Sequence, residues 1–242
     1  MPLSDTIYSR CIAACIPIKN DAAVKLSAFH ELLMDWNTRM DLTAVLEEDE
    51  LIDRHYIDSL SPLRVEGLFP QGASVIDVGS GAGFPGLPLA IARPDLTVTL
   101  LDAQQKRVRF LQEAIDLLKL NNVNALHARS EDAAHLPNLR ESYDLALARA
   151  VASLPTLLEL LLPFVKVNGR ALCWKGPAVL NEMTTGSKAA KLLGATLEEP
   201  IITLIPGRDW NHLLLPSRKI VKTLRQYPRK AGTPGRLPLG TS

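Results

Sequence analysis

Cysteine is scarce in this chain. Cys11, Cys15 and Cys173 are the three among 242 residues, with no Cys-x-x-Cys pair and no even set. That excludes a disulfide scaffold and a thiol-rich zinc module, and fits reduced, mostly buried thiols in a cytoplasmic protein. Cys11 and Cys15 fall four apart, on one helix face, but no further ligands stand near them, so no metal site is expected. Long apolar runs are also missing: none approaches the roughly 20 residues a bilayer span needs, so no membrane partner is expected. Met1 to Thr6 carry neither the basic stretch nor the apolar core of a secretory leader. There is no internal repeat, no Ser-His-Asp order and no zinc-binding spacing, and His127, His135 and His212 have no partner at metal spacing.

Acid is absent from one end. Residues 210–242 hold no Asp or Glu but seven bases (Arg218, Lys219, Lys222, Arg225, Arg229, Lys230 and Arg236), whereas residues 1–70 hold twelve acids against six bases. With a net charge of only +1, the asymmetry rather than the total points to a polyanionic partner. For Arg218 to Arg225 an edge strand with solvated cations explains the charge equally well. For Tyr227 to Arg236, dense in proline and glycine, the expectation is an extended arm on RNA, with neither strand nor helix.

From residue 74 short apolar runs alternate with helical periodicity. Strands are expected near 74–78, 97–101, 123–127, 143–148, 171–175, 201–205, 211–215 and 219–223, and helices near 86–92, 104–119, 153–165 and 178–193. This predicts an α/β protein: a mostly parallel, Rossmann-like sheet with helices on both faces and antiparallel strands at one end. The first 70 residues read as helices instead. Leu26, Phe29, Leu33, Trp36 and Met40 step by three and four. Asp41-Leu42-Thr43 ends that helix, with Thr43 as a cap for the next segment. Glu50 to Leu60 forms another helix, which Pro62 ends. The organisation expected is a helical N-terminal extension packed on the core (1–70), a Rossmann-like domain (71–225) and a basic C-terminal arm (226–242).

The chemistry concentrates at Val75-Ile76-Asp77-Val78-Gly79-Ser80-Gly81-Ala82-Gly83-Phe84-Pro85-Gly86-Leu87-Pro88. A strand feeding a helix through such a turn makes a nucleotide cradle, and Asp102, closing the next apolar run, suits the ribose hydroxyls of an adenosine. Gly81-x-Gly83-x-x-Gly86 also matches a dinucleotide fingerprint, so NAD competes with S-adenosylmethionine, and a turn with no ligand competes with both. Three details favour S-adenosylmethionine: Asp77 sits two residues before the first glycine, the turn begins at Gly79, and Pro85 and Pro88 remove amides a pyrophosphate needs. An acid beside the turn suits a cationic, phosphate-free ligand.

Other acids and bases follow the strand ends. Arg129-Ser130-Glu131-Asp132 follows the third strand, where an acid or a backbone N–H can meet the adenine edge. Arg149 ends the fourth strand in Leu147-Ala148-Arg149-Ala150-Val151-Ala152-Ser153. A strand arginine is expensive to bury unpaired, so it either pairs with an acid or faces a ligand, and the crevice position favours the site. Enzymes that methylate exocyclic base amines often carry an Asn/Asp-Pro-Pro-aromatic motif here, and this chain does not. A ring nitrogen such as guanine N7 has no proton to lose and needs no general base, so Arg149 is a candidate for positioning the guanine or the cofactor rather than for proton transfer. Lys106, Arg107, Arg109 and Lys175 are either phosphate contacts or solvated charges. His55 and Asp58, three apart on a helix, are either an inter-domain hydrogen-bonded pair or neighbours of the pocket, with the structural reading favoured. A methyltransferase acting on another RNA site or on a protein, an NAD-dependent oxidoreductase and a non-catalytic ribosome-binding module remain alternatives.

Taken together, several segments carry a resemblance: Trp36-Asn37 with Leu42-Thr43, His55 to Leu60, Asp77 to Gly86, Asp102 with Lys106 to Leu111, Arg149 to Leu154, Lys175-Gly176 and Tyr227 to Lys230. They resemble the bacterial small-subunit ribosomal RNA guanine-N7 methyltransferases, the glucose-inhibited division protein B family, over nearly the whole chain. The resemblance implies a Rossmann-like methyltransferase with a helical N-terminal extension; a cytoplasmic protein is expected from the cysteines, and a monomer is expected although the sequence carries no signal for oligomeric state. Such an enzyme would methylate N7 of a guanine in a loop of small-subunit (16S) ribosomal RNA, with small-subunit RNA or the ribosomal subunit as partner. The resemblance also implies S-adenosylmethionine contacts at Gly79, Phe84, Ser130, Glu131 and Arg149, with Asp102 near the ribose. Asp41 and the pair Asn211-His212 depart from the family's usual residues, which puts fine substrate contacts in doubt.

Overall fold

The computed structural model describes residues 1–149 and 152–241, so Ala150 and Val151 of the Arg149 segment lie outside the described residues. The alternation read after residue 74 becomes one eight-stranded sheet. Its parallel strands are β1 (Ser74–Val78), β2 (Thr97–Asp102), β3 (Val123–His127), β4 (Tyr143–Arg149) and β5 (Val165–Lys175). Three more follow: β6 (Ala195–Leu197), β7 (Ile201–Leu204) and β8 (Asn211–Lys219), with β8 antiparallel to β5 and with β6 and β7 both on its far side. The order is β3-β2-β1-β4-β5-β8-β6. Chain order reverses between β1 and β4, which opens a crevice at their carboxyl ends.

The helices are α1 (Leu3–Ala13), α2 (Asn20–Asn37), α3 (Glu48–Leu51), α4 (Asp58–Leu60), α5 (Gly86–Ala92), α6 (Gln105–Leu117), α7 (Ser130–Ala133), α8 (Leu154–Leu161), α9 (Met183–Leu192) and α10 (Thr233–Arg236). Successive strand residues serve opposite faces. Val75, Leu145, Leu147, Leu172 and Trp174 join one apolar cluster with α1, α2, α5 and α6, while Ile76, Ala146, Ala148 and Cys173 join another with α8 and α9. Leu26, Phe29 and Leu33 of α2 are fully buried in the first cluster, each contributing roughly 1.5–3 kcal/mol by leaving water. The N-terminal helices are therefore the cover of one sheet face, sharing its core.

Local chemistry explains the departures from expectation. Asn37 ends α2: its Oδ1 accepts the amides of Leu42 and Thr43 at 2.8 and 2.9 Å, so Met40 lies beyond the helix. Glu47, rather than Thr43, caps α3, its carboxylate accepting from Asp49 and Glu50. A π-helical turn over Ile52–Ile57 joins α3 to α4 in place of the regular helix expected there. Cys15 follows the end of α1 at φ 56° and is exposed, unlike Cys11 and Cys173. The strands expected at 211–215 and 219–223 are instead the single strand β8, which runs through Pro216. The Pro216 carbonyl accepts the Glu198 amide at 2.9 Å, so its ring nitrogen points into the gap between β6 and β7 and no ladder bond is lost. Lys219 is no solvated edge cation: β8 lies between β5 and β6, and Lys219 is fully buried, donating to Leu162 O at 2.7 Å and to Thr223 Oγ1.

The C-terminal segment differs most from the free arm its composition suggests. Tyr227 and Pro228 are buried, Thr233–Arg236 is helical, and Arg229 is ion-paired at 2.6 Å with the fully buried Glu159 of α8. Lys222, Arg225, Lys230 and Arg236 stay exposed.

Candidate functional site

The turn after β1 is held by its own amides. Gly79 and Ser80 donate to Leu101 O, Gly81 to Asp102 Oδ2, Gly83 to Ser80 O, Gly86 to Asp77 Oδ2 and Leu87 to Gly83 O. Pro85 and Pro88 have no amide to give. Most of the N–H groups that would hold a pyrophosphate are thus engaged within the protein, which disfavours the dinucleotide reading on geometric grounds. Gly86 is obligatory because a Cβ there would lie 2.6 Å from Leu100 Cδ2 and 2.7 Å from the Asp77 carboxylate. Gly79 is different: at φ 74° its absent Cβ would meet nothing within 4 Å, so the turn opens there onto free space.

That space is a cleft of about 210 Å³ lined by Val78, Gly79, Leu101, Ser130, Glu131 and Ala148 among others. Its apolar walls and flanking acids suit an adenosine. Asp102 accepts Gly81 N–H on Oδ2 at 2.9 Å and Gln104 N–H on Oδ1 at 2.8 Å, which fixes the carboxylate and leaves a lone pair on each oxygen for ribose hydroxyls. Asp77 is fully buried, and its Oδ1 has no partner. Burial pushes its carboxyl up to about 7, against the opposing pull of Gly86 N–H and Arg149. An orphaned acid beneath the turn fits a cationic ligand better than an anionic one.

Sequence-predicted residues divide between this cleft and a second one. Gly79, Ser130 and Glu131 line the first, and so do Leu101 and Ala103 on either side of Asp102, though Asp102 itself does not. The Ser130 hydroxyl donates to Leu160 O, and Glu131 accepts Gly232 N–H from the C-terminal segment at 3.0 Å. The ring of Phe84 is not brought to either cleft. It is buried among Phe29 and Tyr56, stacks on His55 at 4.8 Å and lies 5.2 Å beneath the Arg149 guanidinium, so it supports the site from below.

Arg149 belongs to the second cleft and is also ion-paired. Its guanidinium donates to Arg54 O at 2.7 Å and to His55 Nδ1 at 2.9 Å, and stands 3.4 Å from Asp58 Oδ2. The π-helical turn presents that Arg54 carbonyl, as such turns commonly do at functional sites. Asp58 is fully buried, and its other oxygen meets His212 Nδ1 at 2.9 Å. The cleft, about 450 Å³, is lined by Arg54, His55, Arg149, Trp174, Lys175, Gly176 and His212. Trp210 stacks on Arg54 at its rim, 4.7 Å from the guanidinium carbon. Neighbouring residues Ala148 and Arg149 line one cleft each, so the two share a wall at the end of β4.

Lys175 turns inward, to Ala152 O at 2.7 Å and Glu182 at 3.4 Å; Arg107 faces Asp102 at 3.8 Å; Lys106 and Arg109 are exposed. His55 thus lines the pocket and Asp58 lies buried behind it, the pocket-side alternative to the structural pair favoured from sequence, and His212 is not bland. Nothing in the sequence links His212 to Asp58, 154 positions away. Among the described residues no three His, Cys, Asp or Glu side chains converge as a metal site.

The sheet order, the acid-glycine turn and the paired clefts define a Rossmann-type methyltransferase. Solved structures agree at the level of the fold: TYW2 of M. jannaschii in complex with AdoMet (TM-score 0.50, 20% identity, 62% of this chain and 69% of that one) and TYW2 of P. horikoshii in complex with MeSAdo (TM-score 0.52, 18% identity, 68% and 62%). A family model described as rRNA small subunit methyltransferase G matches residues 22–202. The ribosomal RNA small subunit methyltransferase G of Alkaliphilus oremlandii is 41% identical over 99% of this chain and 100% of its own length, and that of Oenococcus oeni is 44% identical over 93% of each. The chain belongs to the rRNA small subunit methyltransferase G family.

Proposed function

We propose that this enzyme transfers a methyl group from S-adenosylmethionine to N7 of a guanine in a loop of small-subunit ribosomal RNA, working as a cytoplasmic monomer. The observation that carries the reading is the position of Arg149. At the end of β4, where an amine-methylating enzyme needs an acceptor, it presents N–H donors, and the carboxylate ion-paired with it, Asp58, is engaged by Arg149 and His212. S-adenosylmethionine, when bound, supplies an electrophilic methyl group that N7 can take without losing a proton. The protein's own work is then placement. Asp102 would orient the ribose, the buried Asp77 would favour positive charge at the turn, and Arg149 would hold the O6 side of the guanine. Positioning of this kind supplies roughly 7–11 kcal/mol of barrier reduction.

Among the described residues no helix is long and apolar enough to cross a membrane. An unpaired loop is the expected target because the base must leave its stack to enter the pocket. The exposed Lys222, Arg225, Lys230 and Arg236 offer phosphate contacts. The test is to map tritium from labelled S-adenosylmethionine onto small ribosomal subunits. Label on N7 of a guanine is expected; label on a base amine or on protein would replace this reading.

A further inference from the structure

We propose that His212 is the residue by which the basic pocket reads its target as guanine, accepting the base N1–H on Nε2. This rests on the reading of that pocket as the seat of the target base. His212 Nδ1 lies 2.9 Å from Asp58 Oδ1, and Asp58, fully buried, has Arg149 against its other oxygen. A carboxylate so held accepts, so the His212 nitrogen facing it carries the hydrogen. The tautomer with its hydrogen on Nδ1 offers Nε2 as an acceptor, and His212 lines the pocket.

No other lining side chain among the described residues has that capacity free. Arg54, Arg149 and Lys175 only donate. The Trp174 indole donates to Asp58 O. His55 is engaged on both nitrogens, by Arg149 and by Thr43 Oγ1.

The order of groups across the sheet matches the base. Guanine presents N7, O6 and N1–H in sequence along its edge. The sheet presents the cofactor turn at β1, Arg149 at the end of β4 and, past β5, His212 at the start of β8, which lies beside the carboxyl end of β5. With N7 toward the cofactor cleft, O6 meets the guanidinium and N1–H meets Nε2. Adenine in the same pose would set its amine against guanidinium N–H groups and a bare N1 against the Nε2 lone pair. Two mismatched buried contacts reject a base far more strongly than a missing methyl would.

The experiment compares methyl transfer to a ribosomal RNA substrate carrying guanine or 2-aminopurine at the target position; 2-aminopurine keeps N7 but lacks both O6 and N1–H. His212→Ala leaves the buried Asp58 with Arg149 as its remaining side-chain partner, so the melting midpoint and the S-adenosylmethionine affinity of the variant are measured alongside to show that it folds. His212→Ala is expected to lower kcat/KM on guanine by roughly ten- to a hundred-fold, the scale of one lost base-reading contact, while 2-aminopurine, whose bare N1 faces the Nε2 lone pair in the wild type, is slowed not at all or is speeded. His212→Gln, whose carbonyl can accept, is expected to recover part of the loss. A variant slowed equally on both bases would overturn the inference and leave His212 a structural residue. If the wild type itself methylates no guanine N7, the underlying reading falls first, and this one with it.

Discussion

Arg149 donates a guanidinium proton to Nδ1 of His55 at 2.9 Å. Because a guanidinium has no lone pair to offer, this contact fixes the imidazole as a neutral acceptor with its hydrogen on Nε2, facing Thr43 Oγ1 at 2.8 Å. Burial, and then the Arg149 charge, push His55 down to about 3. In the unfolded chain a histidine titrates near ~6.5. Below that pH the unfolded state takes a proton that the folded state refuses, so this group costs stability progressively as pH falls from about 6.5 toward 3. His55→Asn, which keeps an acceptor for Arg149 but cannot be protonated, is expected to be less stable at about pH 7.5 yet to lose less on going to about pH 5. Urea unfolding at the two pH values measures this; an equal loss in both proteins would refute it.

Asp77 has the opposite sign. Its carboxyl is raised to about 7 by burial, above the unfolded value near ~3.9. The stability it gives is present below the unfolded value and is lost as pH rises through about 7. Asp77→Asn is therefore expected to gain more stability relative to wild type at about pH 8 than at about pH 4. A cationic cofactor arriving at the turn favours the ionised acid, so binding should release a proton near about pH 6–7. Calorimetry in two buffers of different ionisation enthalpy reads that proton, and Asp77→Asn should abolish it. No buffer dependence in the wild type would mean that Asp77 does not sense the ligand.

The parallel sheet was legible because β1, β2 and β4 are short apolar runs buried on both faces, each with a polar residue at or next to its carboxyl end. The turn was legible for a related reason: its glycines and prolines each answer a local steric demand, as Gly86 against Leu100 does. The pocket was not. Arg54, Asp58 and Trp174 meet around Arg149 only through the packing of the N-terminal helices on the sheet, and the π-helical turn that exposes Arg54 O has no sequence signature. The C-terminal segment misled because composition reports what a chain can do alone, while Glu159, hidden inside α8, decides what it does here.

Arg149→Lys separates charge from geometry. Lysine keeps the cation near Asp58 but cannot reach Arg54 O, His55 and the base together, since it lacks the planar fork. Because Arg149 lines the cleft proposed for the target base rather than the one at Gly79, S-adenosylmethionine affinity should hold within a few-fold while kcat falls by about a hundred-fold, the size of a lost transition-state positioning contact. Equilibrium cofactor binding and single-turnover methylation test the split. A large loss of cofactor affinity with normal turnover would place Arg149 on the cofactor instead.

Glu159 makes the C-terminal segment a structural strap. Fully buried in α8, it accepts from Arg229 three times, from N at 2.8 Å, Nε at 2.9 Å and Nη2 at 2.6 Å. Arg229→Ala leaves that carboxylate with a single amide, which should cost about 3–5 kcal/mol, as breaking a buried pair does. Since the Arg229 charge is already neutralised, the salt dependence of RNA binding by the folded variant should not change. Lys230→Ala and Arg236→Ala, at exposed positions, should each reduce the slope of log affinity against log salt by about one if they meet phosphate. The strap also reaches the cleft at Gly79, because Gly232 N–H is held by the cleft-lining Glu131. Removing residues 227–242 should therefore lower the melting midpoint and weaken S-adenosylmethionine binding together. Thermal unfolding with and without cofactor measures both, and a truncated chain unchanged in each would show the segment to be the separable arm that its charge and proline content suggest.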